Sequence, residues 1–244
     1  PPPPPPPPAP RGLGDVYNRQ DDLTAHTRHP ANSAGSNCYN CHMPHTSYGL
    51  LKAIRGHTIE SPDVATTLQT GRPNACNLCH LDKTLDWTAE HLAKRTGKPM
   101  PEVPAIHKTT AASAVWLLNG DAGQRALAAW HMGWEPALLA SGSGWQSPLL
   151  ADTLTDPYSA VRYIAHKALV KQPGFVAYKY DFVADEAKRL AKQKEAMGIW
   201  LREQRIKIPL PAGPVLLNAQ GVRDVDRVHT LIRTRDYRPM RLRE

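Results

Sequence analysis

Residues 38–42, Cys-Tyr-Asn-Cys-His, and residues 76–80, Cys-Asn-Leu-Cys-His, are two copies of the pattern Cys-x-x-Cys-His. They contain all four cysteines of the 244-residue chain. This pattern attaches c-type haem, because two cysteines three positions apart reach the two vinyl groups of a porphyrin and the next residue places an imidazole on the iron. The sequence therefore predicts two covalently attached haem c groups. The predicted attachment residues are Cys38, Cys41, Cys76 and Cys79, and the predicted proximal iron ligands are His42 and His80.

Other uses of four cysteines fit the spacing less well. A zinc ribbon has about 15 to 20 residues between its two Cys-x-x-Cys pairs, whereas 34 residues lie between Cys41 and Cys76. Thioredoxin-like redox chemistry needs a βαβ unit, which neither motif has. A disulfide framework would leave the histidine after each pair unexplained.

Nine further histidines are candidates for the distal side of each iron. The two favoured are His29, nine residues before the first motif, and His57, midway between the motifs. His26 is the alternative to His29, because residues three apart can share a helical face. His45 follows the first motif too closely to reach the opposite face of the same haem, although it can serve the other one. Spacing leaves open which distal histidine serves which haem.

Methionine is the other usual distal ligand and raises the reduction potential. Met43 directly follows a proximal histidine and cannot reach the far side of that haem, so Met100 is the only nearby alternative. Two bis-His, low-spin haems of fairly low potential are therefore expected.

Composition divides the chain into four segments. Residues 1–10 hold nine prolines and predict an extended polyproline arm. Residues 11–108 are rich in Pro, Gly, Asn, Thr and His, so we expect a loop-rich dihaem cytochrome c domain that folds by wrapping the haems. Residues 109–204 carry Ala and Leu at helical spacing and predict a helical domain. Residues 205–244 predict an extended, basic C-terminal tail. The predicted fold class is mainly α.

The helical segment contains an internal repeat. At a displacement of 37 residues, Leu117 corresponds to Leu154 and Arg125 to Arg162. This period and the helix-turn-helix pattern are close to those of HEAT repeats, and a plain antiparallel bundle is the alternative. Because two repeats are too few for a free solenoid, we expect them to pack against the haem domain.

Charge and hydropathy limit the partners. The chain carries 30 Lys and Arg against 22 Asp and Glu, and no apolar stretch has the length of a membrane span. Residues 202–244 hold ten basic and five acidic residues, but the interleaved acids and the lack of a binding motif disfavour nucleic acid. Because c-type haem is attached outside the cytoplasm, we expect a periplasmic or extracellular protein.

The residues around the motifs resemble those of multihaem c-type cytochromes with a doubled Cys-x-x-Cys-His unit, which HEAT-like repeats follow in some members. The resemblance spans about residues 26–95. It rests on residues 38–44 and 71–83, on Arg55 with His57, and on Trp87. It implies closely stacked haems with bis-His ligation, in which His29 and His57 are the distal ligands.

These features predict an electron carrier rather than an enzyme, working by extracytoplasmic one-electron transfer between two bis-His haems. The expected partners are redox proteins or other cytochromes. The proline arm, the repeats and the basic tail favour a subunit of a larger assembly, a homo-oligomer or a filament. The alternative is a dihaem peroxidase-like enzyme or a haem sensor, either of which needs one iron with an open position.

Overall fold

The computed structural model describes residues 23–49, 51–204, 213–218 and 220–238. The predicted polyproline arm, residues 1–10, lies outside them. The described residues form twelve α-helices and one two-stranded antiparallel sheet, so the prediction of a mainly α fold is confirmed. No helix among the described residues is long and apolar enough to cross a bilayer.

The region that carries the cysteines consists of short elements joined by loops. They are α1 (Leu23–Thr27), a 3-10 turn (Ala34–Ser36), α2 (Cys38–His42), β1 (Ser47–Gly49), β2 (Lys52–Ile54), α3 (Val64–Thr70), a 3-10 turn (Cys76–Leu78), α4 (Leu85–Thr96) and α5 (Ile106–Thr109). Side-chain caps set where the longer helices begin. Asp63 accepts a hydrogen bond from the Thr66 amide at the start of α3, and Thr84 accepts one from the Trp87 amide at the start of α4.

The helical region follows with longer elements. They are α6 (Ala112–Asn119), α7 (Ala122–His131), α8 (Glu135–Ser141), α9 (Ser147–Thr153), α10 (Ser159–Leu169), α11 (Glu186–Gln204) and α12 (Val225–Arg233). Helix α7 packs between α6 and α10, and α9 contacts both α10 and α11. The β1–β2 hairpin, which pairs Tyr48 with Ala53, lies against α7. The hairpin therefore joins the first cysteine motif to the helical region.

The 37-residue correspondence in the sequence is matched by equivalent hydrogen bonds. Arg125 Nη1 donates to the Gly120 carbonyl at 2.7 Å, and Arg162 Nη1 donates to the Pro157 carbonyl at 2.9 Å. Arg125 also pairs with Asp156 at 2.8 Å, and both side chains are almost completely buried. The first helix pair is thus tied by its arginine to the turn of the second.

One hydrophobic core runs from Val64 to Leu231. It includes Leu78, Leu81 and Leu85 around the second cysteine motif, together with the buried side chains of α6 to α10. The described residues before Val64 contribute only the partly buried Tyr48. The second motif is therefore part of the main core, whereas the first lies outside it.

The expectation of an extended tail over residues 205–244 is wrong for part of the tail. Residues Val225–Arg233 form α12, which packs against α6 and buries Val228 and Leu231. After the helix, Arg235 Nη1 reaches Asp156 at 2.9 Å. The apolar residues of this segment recur at helical spacing, so they can be buried together on one face of a helix. The free energy gained by this burial outweighs the cost of bringing the basic residues close to the core.

Candidate haem-binding site

The second motif is held in place by the asparagine between its cysteines. The Asn77 amide donates to the carbonyls of Lys83 and Thr84 at 3.1 and 3.2 Å, and its oxygen accepts from Thr88 at 2.8 Å. The next residue, Leu78, is only 2% exposed. Because the two residues between the cysteines are fixed, the turn that presents both thiols is ordered by the chain itself.

The first motif is held mainly by one guanidinium group. Arg55, in the loop that follows β2, donates to the carbonyls of Tyr39 and Met43 at 2.8 and 3.0 Å and to Asn40 Oδ1 at 2.8 Å. Cys38 is exposed. Hydrogen bonds from Arg55 therefore hold one side of this turn, and the other side is exposed to solvent.

Each proximal histidine faces a histidine from the segment that precedes the first motif. The ring centres of His26 and His42 are 6.1 Å apart with 23° between their planes. Those of His29 and His80 are 5.9 Å apart with 26° between their planes. Metal–imidazole bonds are about 2 Å long, which places the ring centres of two imidazoles on opposite sides of one metal ion about 6 Å apart. Both pairs therefore fit the axial ligands of a bis-His haem.

Hydrogen bonds to the second ring nitrogen support ligation for two of these residues. His42 Nδ1 lies 2.9 Å from the Glu60 carbonyl, and His29 Nδ1 lies 2.7 Å from the Thr27 carbonyl. Metal-binding histidines usually donate this N–H to a carbonyl or carboxylate, which leaves Nε2 for the metal.

His26 has a different partner. Its Nδ1 lies 3.3 Å from the Arg95 guanidinium, which can only donate. Nδ1 must therefore act as the acceptor, and in the neutral ring the proton sits on Nε2. Ligation through Nε2 requires this contact with Arg95 to be given up.

The two distal ligands predicted from the sequence lie in different places. His29 faces His80, whereas His57 is exposed and stacks on no other ring within the described residues. The position opposite His42 is taken by His26, which the sequence offered only as an alternative to His29. Arg28 explains how neighbours three residues apart reach two partners, because its φ of 62° turns the chain at the end of α1. The spacing of the histidines in the sequence does not reveal that Arg28 adopts a left-handed backbone conformation.

Burial sets the protonation of the cysteine thiols. It raises the pKa of Cys76 and of Cys79 to about 12, and the neighbouring Cys41 thiolate charge adds to the rise at both. Burial also raises the pKa of Cys41. The unreacted thiols of Cys41, Cys76 and Cys79 therefore stay protonated at neutral pH, and the influence of Cys41 on the other two indicates that the motifs are adjacent.

His80, the proximal ligand predicted at the second motif, is held in its neutral form. Burial and, to a smaller extent, the nearby His29 lower the pKa of His80. The Trp87 ring, placed at the first turn of α4 by the Thr84 cap, packs on His80 with 5.2 Å between the ring centres. This apolar cover keeps water from one side of the imidazole.

Within the described ranges, no three His, Cys, Asp or Glu side chains converge as a multidentate metal site. A haem iron needs only two ligands from the protein, one on each face, because the porphyrin supplies the others. The facing histidine pairs are therefore the arrangement that the haem prediction requires.

Sequence reasoning missed an aromatic cluster between the hairpin and α7. His45 packs on Trp130 and Trp134, with ring centres 4.9 and 5.4 Å apart, and the buried His131 touches the same three rings. Burial lowers the pKa of His45 to about 4 and that of His131 to about 3. The Trp-His-x-x-Trp spacing at the end of α7 was the available signal, but it does not indicate that His45 lies against these rings.

Comparison of the chain with protein-family models, with curated proteins and with solved structures finds no match. The resemblance to multihaem cytochromes therefore rests on the residues quoted above.

Proposed function

We propose that the protein is a dihaem c-type cytochrome that transfers single electrons outside the cytoplasm. The observation that carries the proposal is the pair of facing imidazole rings, His26 with His42 and His29 with His80, at nearly equal separations of 6.1 and 5.9 Å. Each pair combines one histidine of a Cys-x-x-Cys-His motif with one from residues 26–29. When bound, the two haems supply reversible one-electron iron couples.

The chain would hold the two groups through eight side chains. Cys38 and Cys41 would attach the first haem and Cys76 and Cys79 the second. The axial ligands would be His42 with His26 at the first and His80 with His29 at the second. With a histidine on each face, these residues would keep the coordination of each iron unchanged between its two oxidation states.

The surroundings suggest separate tasks for the two sites. Around the second motif, Leu78 and Leu81 are buried and Trp87 packs on His80. Around the first motif, Cys38 and Tyr39 are exposed. We therefore assign exchange with redox partner proteins or other cytochromes to the first site and internal transfer to the second.

The helical region would act as a HEAT-like scaffold for this pair. The equivalent hydrogen bonds of Arg125 and Arg162, 37 residues apart, support a repeated helix pair. Repeat pairs of this kind offer extended surfaces for protein contacts. A subunit of a larger or polymeric assembly in the periplasm or outside the cell agrees with this scaffold.

One observation favours a second function, a dihaem enzyme of the peroxidase type or a haem sensor. His26 is exposed, and its Nδ1 contacts Arg95 instead of a carbonyl. A ligand held this weakly can leave the iron, which would give the first site the open position that both alternatives need.

Low-temperature EPR of the oxidised holoprotein, with visible spectra of the reduced form before and after carbon monoxide, separates the two functions. Two low-spin signals and no response to carbon monoxide are expected for the electron carrier. A high-spin signal or a carbon monoxide complex at one haem would overturn that assignment and favour the enzyme or sensor. A holoprotein with fewer than two haems per chain would contradict both.

A further inference from the structure

Gly35 lies directly against the face of the His29 ring. A Cβ atom built on Gly35 would come within 2.9 Å of Nε2 of His29 and still closer to Cδ2 and Cγ. Carbon atoms in ordinary contact are about 3.5 Å or more apart. Any residue larger than glycine at this position therefore collides with the imidazole that faces His80.

The backbone does not require glycine at position 35. Gly35 is the middle residue of the 3-10 turn Ala34–Ser36, and its φ is not in the positive range. An alanine can adopt that conformation without strain. The absence of a side chain at Gly35 thus leaves space for the His29 ring and is not needed for the conformation of the turn.

Hydrogen bonds prevent the ring and the turn from moving apart freely. His29 Nδ1 is tied to the Thr27 carbonyl at 2.7 Å. The buried Ser36 hydroxyl lies 2.7 Å from the Pro30 carbonyl and 3.1 Å from the Thr27 hydroxyl. Both sides of the contact are fixed, so a methyl group on Gly35 has to displace the ring by roughly 1 Å.

We propose that Gly35 is a positioning residue for His29, a role that rests on the ligand set of the proposed function. A metal ligand has to be held within about 0.5 Å of its productive position. Displacement by a methyl group therefore weakens or breaks the bond of His29 to the second iron. His26 lies on the other side of the Arg28 turn, so the first iron keeps both ligands.

The test compares the holoprotein with Gly35→Ala and with the matched control Gly49→Ala. A Cβ on Gly49 would meet only Ile54 Cδ1, at 3.8 Å, which is ordinary contact. In Gly35→Ala we expect one of the two haems to become high-spin and to bind carbon monoxide, and added imidazole to restore its low-spin signal. The control should retain two low-spin haems. Two low-spin haems in Gly35→Ala, without a response to carbon monoxide, would overturn the proposal.

A double variant separates positioning from general damage. If Gly35 acts only through His29, then His29→Ala with Gly35→Ala should open the second haem no further than His29→Ala does. An additional effect of Gly35→Ala in the His29→Ala background would contradict a positioning role. If His29→Ala leaves both haems capped, the ligand set itself has failed, and with it the proposal.

Ser36→Ala provides the same test if Gly35→Ala does not retain its haems. It removes the hydroxyl that fixes the turn against Pro30 but adds no atom. We expect partial binding of carbon monoxide at one haem, with both haems attached. Wild-type behaviour in Ser36→Ala would then overturn the proposal.

Discussion

The two cysteine motifs have the same five-residue pattern but different surroundings. Around the second motif, Leu78 and Leu81 are 2% and 0% exposed and belong to the main core. At the first motif, Tyr39 is 54% exposed, and Arg55 donates hydrogen bonds to Tyr39, Asn40 and Met43. The two motifs therefore share a sequence pattern but are held in place by different contacts.

This difference shows where the order of each site comes from. Burial of a leucine side chain contributes about 1.5 to 3 kcal/mol, so the second motif keeps its conformation through the protein core. The first motif lacks such burial and, under the proposed function, would depend on Arg55 and on its haem. We therefore expect the two sites to respond differently to the same chemical change.

Loss of attachment should have the largest effect at the first motif. Replacing Cys38 and Cys41 by serine is expected to halve the haem content and to open residues 23–60 to trypsin at Arg28, Lys52 and Arg55. The physical reason is that these residues bury little apolar surface without the haem. Haem per chain by the pyridine haemochrome assay and mass spectrometry of the tryptic fragments measure both effects.

The matched variant, with Cys76 and Cys79 replaced by serine, should also lose one haem but stay resistant near its motif. The bond after Lys83 should remain uncut, because Leu78 still holds the turn in the core. Rapid cleavage at this site, with protection of residues 23–60, would reverse the comparison.

Removal of a distal ligand is expected to affect one haem at a time. His26→Ala and His29→Ala should each convert one of the two haems to high spin, as measured by EPR of the oxidised protein. His57→Ala is the control, because His57 is exposed and faces no proximal ring. A high-spin haem in His57→Ala together with two low-spin haems in His26→Ala would restore the pairing that the sequence favoured.

The motifs and the helices could be predicted because they depend on short-range patterns. The Cys-x-x-Cys-His spacing is a local pattern, and helix α4 begins after the Thr84 cap and ends before Gly97. The 37-residue repeat was visible in the sequence, and one hydrogen bond of Arg125 has an equivalent at Arg162.

The pairing of the rings could not be predicted, because it depends on backbone conformation and long-range packing. The positive φ of Arg28 sends His26 and His29 to different partners. The closeness of Gly35 to His29 appears only after the chain has folded back. The contact of His45 with α7 joins residues that lie more than 80 positions apart in the sequence.

A buried ion pair should link the stability of the helical region to the second motif. Asp156 is 0% exposed and accepts hydrogen bonds from both Arg125 and Arg235. Asp156→Asn leaves two buried guanidinium groups without their counter-charge, which is expected to lower the free energy of unfolding by about 3 to 5 kcal/mol. Urea unfolding followed by far-UV circular dichroism measures the change.

The control for this pair is Asp185→Asn, which removes an exposed partner of Lys188 and should leave the urea midpoint unchanged. Because the second motif shares the core, the Soret change of its haem should accompany the loss of helix in Asp156→Asn. Loss of helix with both Soret bands unaffected would show that neither motif depends on this core.

The first motif is joined to the helical region by His45 and His131, which titrate. We therefore expect acid to weaken the contact of the first motif before it affects the second. Burial lowers the pKa of His131 to about 3, whereas the unfolded residue titrates near 6.5. Between these pH values the unfolded chain binds a proton that the folded chain does not, so the free energy of unfolding decreases as the pH falls. The decrease is up to about 1.4 kcal/mol per pH unit, and His45, with a pKa lowered to about 4 by burial, adds to it over the range from 6.5 to 4.

Urea unfolding at pH values from 7 to 4 should therefore give a shallower slope for His131→Gln than for the wild type. His229→Gln is the control, because His229 is exposed, and it should keep the wild-type slope. Pepsin, which is active at the acid end of this range, should cut residues 23–60 before it cuts near the second motif. Equal slopes in His131→Gln and the wild type would show that the buried imidazole of His131 does not cause the pH dependence. Simultaneous cleavage at both motifs would show that acid unfolds the core as a whole. The difference in stability between the second motif, in the core, and the first motif, at the surface, would then not hold below neutral pH.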